Sequence, residues 1–269
     1  MKNKINVISI LSLSTILLCS GCSFTYEEAV DYLSKFEQTK DVVVSDYHSS
    51  FIYDGKTYNV KEAFPYDNFE GIARVTKNEV FVYSKPNELN GYEQAKIYKS
   101  DYSLNAFELV YEFNKDINSS RGFVSDELFY HKYNEKNYIY DLTSKELKEV
   151  TDSFIVDYKK ENNKFTIEST VNIMTGDVSD YSVYFNKTDE KKIIYDFDLF
   201  EVEQASYFNQ QKSFSISRGY AVDENVFLIT YTKGCSVIFK YDYDNEEITY
   251  YTWIDISSFE GKERLYYFI

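Results

Sequence analysis

The sequence predicts an all-β chain built from a repeated unit of four short strands, preceded by a single helix. Three observations predict it. From residue 42 onward, short β-branched and aromatic runs alternate with clusters of Asp, Asn, Gly and Lys, the pattern of strands and turns. One of those runs recurs. Asn78-Glu79-Val80-Phe81-Val82 has counterparts in Asp126-Glu127-Leu128-Phe129-Tyr130 and Glu224-Asn225-Val226-Phe227-Leu228, with a weaker copy at Asn162-Asn163-Lys164-Phe165-Thr166. Finally, 28 Tyr and 21 Phe stand against nine Gly and two Pro, which suits sheets that need bulky side chains on both faces and excludes a linker-dominated chain.

Taken in order, the elements begin with a helix over 25–38. Thr25 and Glu28 fit a capping box, in which each side chain satisfies a free backbone N–H of the first turn. Tyr26, Ala29, Val30, Leu33 and Phe36 follow at helical spacing and form one apolar stripe, expected to pack on the domain that follows. A partner-binding helix is the other use of such a stripe. Gly71 to Val75, Arg121 to Val124 and Arg218 to Val222 precede three of the recurring runs as first strands. A second hairpin follows each run: Lys96–Tyr98 with 107–113, Tyr138–Tyr140 with 146–150, Ser182–Tyr184 with 192–197, and Val237–Phe239 with 248–253. The turns are poor in glycine, so Asn, Asp and Ser are expected to supply the turn conformations.

The two ends complete a further unit. Ser50–Tyr53 and Thr57–Val60 read as a second hairpin without its first half, and Glu263 to Phe268 as a first-hairpin strand without its second. With the third strands in register, Tyr53, Tyr98, Tyr140, Tyr184 and Phe239 fall at intervals of 45, 42, 44 and 55 residues, the last lengthened by an insertion around 201–212. Such a period resembles the repeats of five-bladed β-propellers. The resemblance covers about 220 residues and implies a ring whose last blade is closed by both termini. A β-sandwich with irregular hairpins is the alternative.

The start of the chain carries an address. Lys2 and Lys4 precede an apolar run from Ile5 to Leu18, too short to span a bilayer and ordered like an export signal. It ends in Leu18-Cys19-Ser20-Gly21-Cys22, which resembles the lipobox of bacterial lipoprotein precursors. The resemblance implies a signal peptide over 1–21, diacylglycerol on the sulfur of Cys22, and a cell-membrane location on the extracytoplasmic side. Cys19 departs from the leucine that the pattern prefers. The domains then expected are 1–21 signal peptide, 22–40 lipidated cysteine and helix, and 41–269 propeller. The processed chain has 248 residues and a net charge of −17, so its acidity is expected to hold the folded part clear of an anionic lipid surface.

Counting removes several functions. A net charge of −15 and a pI near 4.7 argue against a nucleic-acid partner, whose binding rests on displaced counterions. With only His48 and His131, and Cys235 alone after Cys22, a structural zinc site lacks ligands and no internal disulfide is available. No Ser-His-Asp pattern and no glycine-rich phosphate loop appears, and no cofactor has an address. His131 reads as a packed or surface imidazole in a strand, His48 carries no role, and Cys235 reads as a buried small hydrophobe. Asp242 to Glu247 lacks the glycine and distal glutamate of a calcium loop and reads as a hairpin turn, and Asp196 with Asp198 as a strand end.

The expected function is therefore a lipid-anchored, non-catalytic binding protein that takes a protein or glycan on one face of its ring, through loops on a rigid scaffold. Two alternatives are an assembly or maturation factor docked through residues 25–38, and a carbohydrate-active propeller hydrolase. The last needs a protonated carboxyl and a second carboxylate about 5–9.5 Å away. No catalytic pair is assigned.

Overall fold

A computed structural model describes residues 24–85, 95–113, 121–133, 135–171, 178–211, 215–259 and 262–269. The expected signal segment and Cys22 lie outside the described residues. The chain forms five small antiparallel sheets arranged as a five-bladed β-propeller.

The N-terminal helix, α1, spans Tyr26–Leu33. Its capping box forms as the sequence predicts: the Glu28 N–H donates to Thr25 Oγ1 (3.2 Å) and the Thr25 N–H to Glu28 Oε2 (2.8 Å). The helix stops five residues short of the expected end. Ser34 Oγ donates to the Asp31 carbonyl, while the Tyr250 hydroxyl donates to the Glu37 carbonyl and the Phe36 ring packs 5.6 Å from the Tyr250 ring. Tertiary contacts thus outweigh further helical turns. Ala29 and Leu33 are completely buried on the ring.

The first sheet comprises β4 (Phe69–Val75), β5 (Glu79–Ser84), β6 (Lys96–Asp101) and β7 (Glu108–Glu112). The second comprises β8 (Arg121–Phe123), β9 (Leu128–Tyr133), β10 (Lys136–Asp141) and β11 (Leu147–Val150). In the fourth, β15 (Ser215–Val222), β16 (Asn225–Thr232), β17 (Cys235–Asp242) and β18 (Glu247–Asp255) follow the same order. The fifth joins the two ends. Here β19 (Leu265–Phe268) pairs with β1 (Val42–Ser45), and β2 (Ser50–Tyr53) and β3 (Lys56–Asn59) complete the blade. Val42 faces Phe268 and Val44 faces Tyr266 across the closure.

The third sheet departs from the four-strand expectation. Among the described residues it holds β12 (Phe165–Val171), β13 (Val178–Phe185) and β14 (Glu190–Tyr195). First strands run in one sense along the channel: Glu70 and Arg121 pair where β4 and β8 begin, and Arg74 reaches Asp126 where they end. The side where first strands begin is the entry side of the ring, and the side where they end is the exit side. β12 runs oppositely to its neighbour β15, because the Lys164 N–H, just before β12, donates to the Asp223 carbonyl, just after β15 (2.7 Å). It is therefore a second strand, and the innermost one is missing. Between β11 and β12 the chain instead forms a helix, α3 (Phe154–Asn162), none of whose residues is buried.

Two further helices lie in connections: α2 (Val60–Ala63) before β4, and α4 (Glu203–Gln210), preceded by a 3₁₀ turn over Asp196–Glu201. The expected insertion around 201–212 is thus helical, and α1 is not the chain's single helix.

Apolar clusters fill the spaces between sheets. Phe81, Ile97, Phe113 and Phe129 pack between the first and second sheets, and Val43, Phe51, Ile72 and Val82 between the fifth and first. Val44, Ile52, Phe227 and Ile238 lie between the fourth and fifth. The largest cluster joins the third and fourth sheets to α1 and α4. Gly219 sits inside it, where an added Cβ would lie 2.4 Å from Ile167 Cδ1 and 3.1 Å from Tyr181 Cδ1. Gly219→Ala is expected to cost about 1–3 kcal/mol by overpacking. Urea unfolding of Gly219→Ala, with and without Ile167→Val, checks this: the valine should recover part of the loss.

The turns correct one expectation. Positive φ is carried by Asp54, Asp189 and Asp223, but also by Glu135, Lys145, Lys233 and Glu246, with no Asn or Ser among the described positions. Aspartate acts chiefly as a turn clamp. Asp101, Asp141 and Asp242 end the third strands of three sheets, and each accepts the N–H two residues on, from Ser103, Thr143 and Asp244.

Candidate functional site

The repeat places the arginines. All four in the chain, Arg74, Arg121, Arg218 and Arg264, lie on or beside a first strand. Arg74 reaches Asp126 (2.7 Å) with its guanidinium 5.3 Å from the Tyr267 ring centre. Arg121 pairs with Glu70 and covers the rings of Tyr83 and Phe113. Arg218 Nη1 donates to the Arg264 carbonyl (3.0 Å) and approaches Glu263 (3.7 Å). Arg264 donates to the Phe259 carbonyl and lies over Tyr231. Guanidinium planes suit such stacked, forked contacts better than lysine does. Burial raises the phenols of Tyr83 and Tyr267, so they stay protonated and neutral.

One carboxylate on the entry side is completely buried. Asp46 Oδ1 accepts the N–H groups of His48, Ser49 and Ser50 (3.1, 2.7 and 2.8 Å), and Oδ2 accepts Ser49 Oγ and Lys262 Nζ (2.7 and 2.9 Å). Burial alone would push this carboxyl up. The hydrogen bonds outweigh it and hold the group below the usual carboxylate range. Asp101, Asp141 and Asp242 are also held low, each by donors in its own turn.

The singled-out residues fall as follows. His131 is buried on β9, with Nε2 3.1 Å from the Tyr111 hydroxyl, and burial lowers its pKa to about 4, so it is a neutral packed imidazole. His48 offers its main chain to Asp46. Cys235 is fully buried and its thiol is pushed up to about 12, chiefly by desolvation. Asp242 to Glu247 is the β17–β18 turn, and Asp198 accepts the Tyr195 N–H (2.8 Å) at the end of β14. Among the described residues no group of three or more His, Cys, Asp or Glu could hold a metal ion.

Two large clefts open on the ring's surface. One, of about 740 Å³, lies on the exit side beside the start of β12, and its lining balances Lys160, Lys164 and Lys187 against Glu161, Asp223 and Glu224, with Asn163 and Asn186 between them. Its amides are fixed: Asn186 Nδ2 donates to the Asn163 carbonyl (2.8 Å), and the Asp223 N–H donates to Asn163 Oδ1 (3.1 Å). The other, of about 700 Å³, lies between the outer strands of the third and fourth sheets and includes Asp198, Glu201, Glu246 and Glu247. The lysine cleft was missed in the sequence, although its signal is there. Asn162-Asn163-Lys164, Asn186-Lys187 and Asp223-Glu224 all lie at turns on one side of the ring.

Five small antiparallel sheets, the last closed by both ends of the chain, make this chain a five-bladed β-propeller. Among solved structures it is similar to TolB from Acinetobacter baumannii (TM-score 0.34, 13% identity, 84% of this chain and 57% of that one). It is also similar to an Agrobacterium tumefaciens protein provisionally designated TolB (0.26, 10%, 80% and 82%) and to dipeptidyl peptidase 4 of Porphyromonas gingivalis (0.29, 8%, 82% and 40%). Likeness at this level concerns architecture alone, and the chain spans little more than half of the Acinetobacter protein. No family model matches the chain, and no curated protein does.

Proposed function

We propose that this protein is a non-catalytic binding propeller, anchored through lipid on Cys22 to the extracytoplasmic side of the cell membrane, that takes a protein or glycan on the exit side of its ring. The carrying observation is the lysine cleft. Two fixed amides lie there beside Lys160, Lys164 and Lys187 on one hand and Glu161, Asp223 and Glu224 on the other, so the cleft is charge-balanced in a chain whose net charge is −15. Such a lining suits a polar ligand that both donates and accepts hydrogen bonds, such as the hydroxyls and carboxylates of a glycan or a peptide of mixed charge. No cofactor enters this reading.

Two observations favour it over the alternatives. Glycoside cleavage needs a carboxyl held protonated, whereas the displaced carboxyls described above are all held low, and the channel carboxylates Glu70 and Asp126 are paired with arginine. Docking of a partner through the apolar stripe of α1 would compete with that stripe's own ring contacts, since Ala29 and Leu33 are covered.

The test uses purified residues 24–269 on an array of acidic and neutral oligosaccharides and peptides of mixed charge. Binding is expected to weaken at least about tenfold in Lys164→Glu/Lys187→Glu, a loss of roughly 1.4 kcal/mol, without a change in melting temperature. Unchanged binding would reject the cleft as the site.

A further inference from the structure

We infer that the propeller is held directly against the lipid surface with the entry side of its ring facing the membrane and the lysine cleft facing away. The inference rests on the lipidation of Cys22 proposed above. It follows from how little chain separates that cysteine from the ring. Phe24 is already fixed: it is 7% exposed, and its ring lies 5.9 and 5.7 Å from those of Tyr207 and Phe208 in α4. Two residues further on, the Tyr26 hydroxyl donates to Asp255 (2.6 Å). Two residues of chain, from Cys22 to Phe24, span at most about 7 Å. A domain of this length has a radius of gyration of about 18 Å. Such a tether is too short for the ring to tumble above the bilayer.

The attachment point selects the side. Asp255 ends β18, and the Tyr26 ring lies 3.1 Å from the position of a Cβ on Gly234, in the turn between β16 and β17. Both belong to the entry side, because β16 ends where β15 begins, Ser215 facing Tyr231. An independent feature lies on the same side. Among the described residues the exposed tyrosines are Tyr47, in the β1–β2 turn, Tyr66, in the connection from α2 to β4, and Tyr195, at the end of β14. Each is 41–48% exposed and sits in an entry-side segment. Tyrosine suits a lipid headgroup layer, with an apolar ring and a polar tip. The exit-side turns at Asp223 and Asn186, and the cleft between them, then point outward. Net acidity opposes close approach to anionic lipid, but the covalent tether limits retreat to a few ångströms.

The experiment uses the full processed lipoprotein in phosphatidylcholine vesicles that contain a nickel-chelating headgroup lipid. A nitroxide is attached at Tyr47→Cys or at Lys187→Cys. Relaxation by the lipid-borne nickel is expected to be several-fold stronger at 47 than at 187. A Gly/Ser spacer of about 20 residues inserted between Ser23 and Phe24 should abolish that difference, because such a linker is a flexible coil. Equal relaxation at the two sites, stronger relaxation at 187, or a difference that survives the spacer would overturn the inference. Flotation with vesicles separates the underlying reading. If the wild type floats and Cys22→Ala does not, the anchor stands whatever the labels show. If the wild type fails to float, both fall.

Discussion

Removing residues 262–269 is expected to leave a chain that no longer unfolds in one cooperative transition. Those residues supply the innermost strand of the fifth blade, and β19 is the covalent end that the ring borrows to close on β1. Tyr266 and Tyr267 are 5% and 7% exposed, and Phe268 stacks on Phe227 of the fourth sheet at 4.1 Å. Truncating one buried aromatic costs about 3–5 kcal/mol, and two such losses approach the whole stability of a domain, about 5–15 kcal/mol. Lys262, the partner of buried Asp46, is lost as well. Helix α3, between β11 and β12, adds little reserve, because none of its residues is buried. Calorimetry of residues 24–261 beside 24–269 checks this. A single transition within a few degrees of the parent would mean that the closure contributes little.

Asp46→Ala is the point substitution with the largest expected effect. It leaves three N–H groups and the Ser49 hydroxyl without the buried carboxylate that they bond, and the half-exposed Lys262 ammonium without its partner. Each shielded donor that loses its acceptor costs about 1–3 kcal/mol. The same contacts fix a pH dependence. The folded-state pKa lies below the unfolded value, so below about pH 3.9 the unfolded chain binds the proton first. The stabilisation from Asp46 is thus complete above the unfolded pKa and is lost as pH falls through the folded one. Chemical denaturation between pH 7 and pH 2 should show a steeper acid loss for the parent than for Asp46→Ala. Parallel curves would contradict the assignment.

The ring was legible in the sequence because its signal is repeated. Phe81, Phe129 and Phe227 recur in second strands, and Tyr53, Tyr98, Tyr140 and Phe239 in third strands, so the count of five and the closure by both ends follow from register. The third blade was read as having four strands because Phe165 and Tyr184 keep the period. What the period cannot report is an absent innermost strand, and Phe154 to Asn162 form a helix instead. Helix α4 was visible only as extra length. The clamps at Asp101, Asp141 and Asp242 were present as a third-strand signature and went unread among 44 acidic residues. Asp46 carried no signal at all. Its burial depends on Lys262 arriving from the other end of the chain. The lysine cleft likewise depends on the end of β15 lying against the start of β12.

The most direct test of a binding role is to incubate purified 24–269 with isolated cell-envelope glycan and follow both retention and the release of reducing ends. Retention that falls in Lys164→Glu/Lys187→Glu, with no reducing ends released, is the predicted result. Turnover that disappears when one channel carboxylate, Glu70 or Asp126, is changed to its amide would contradict it and make the protein a hydrolase.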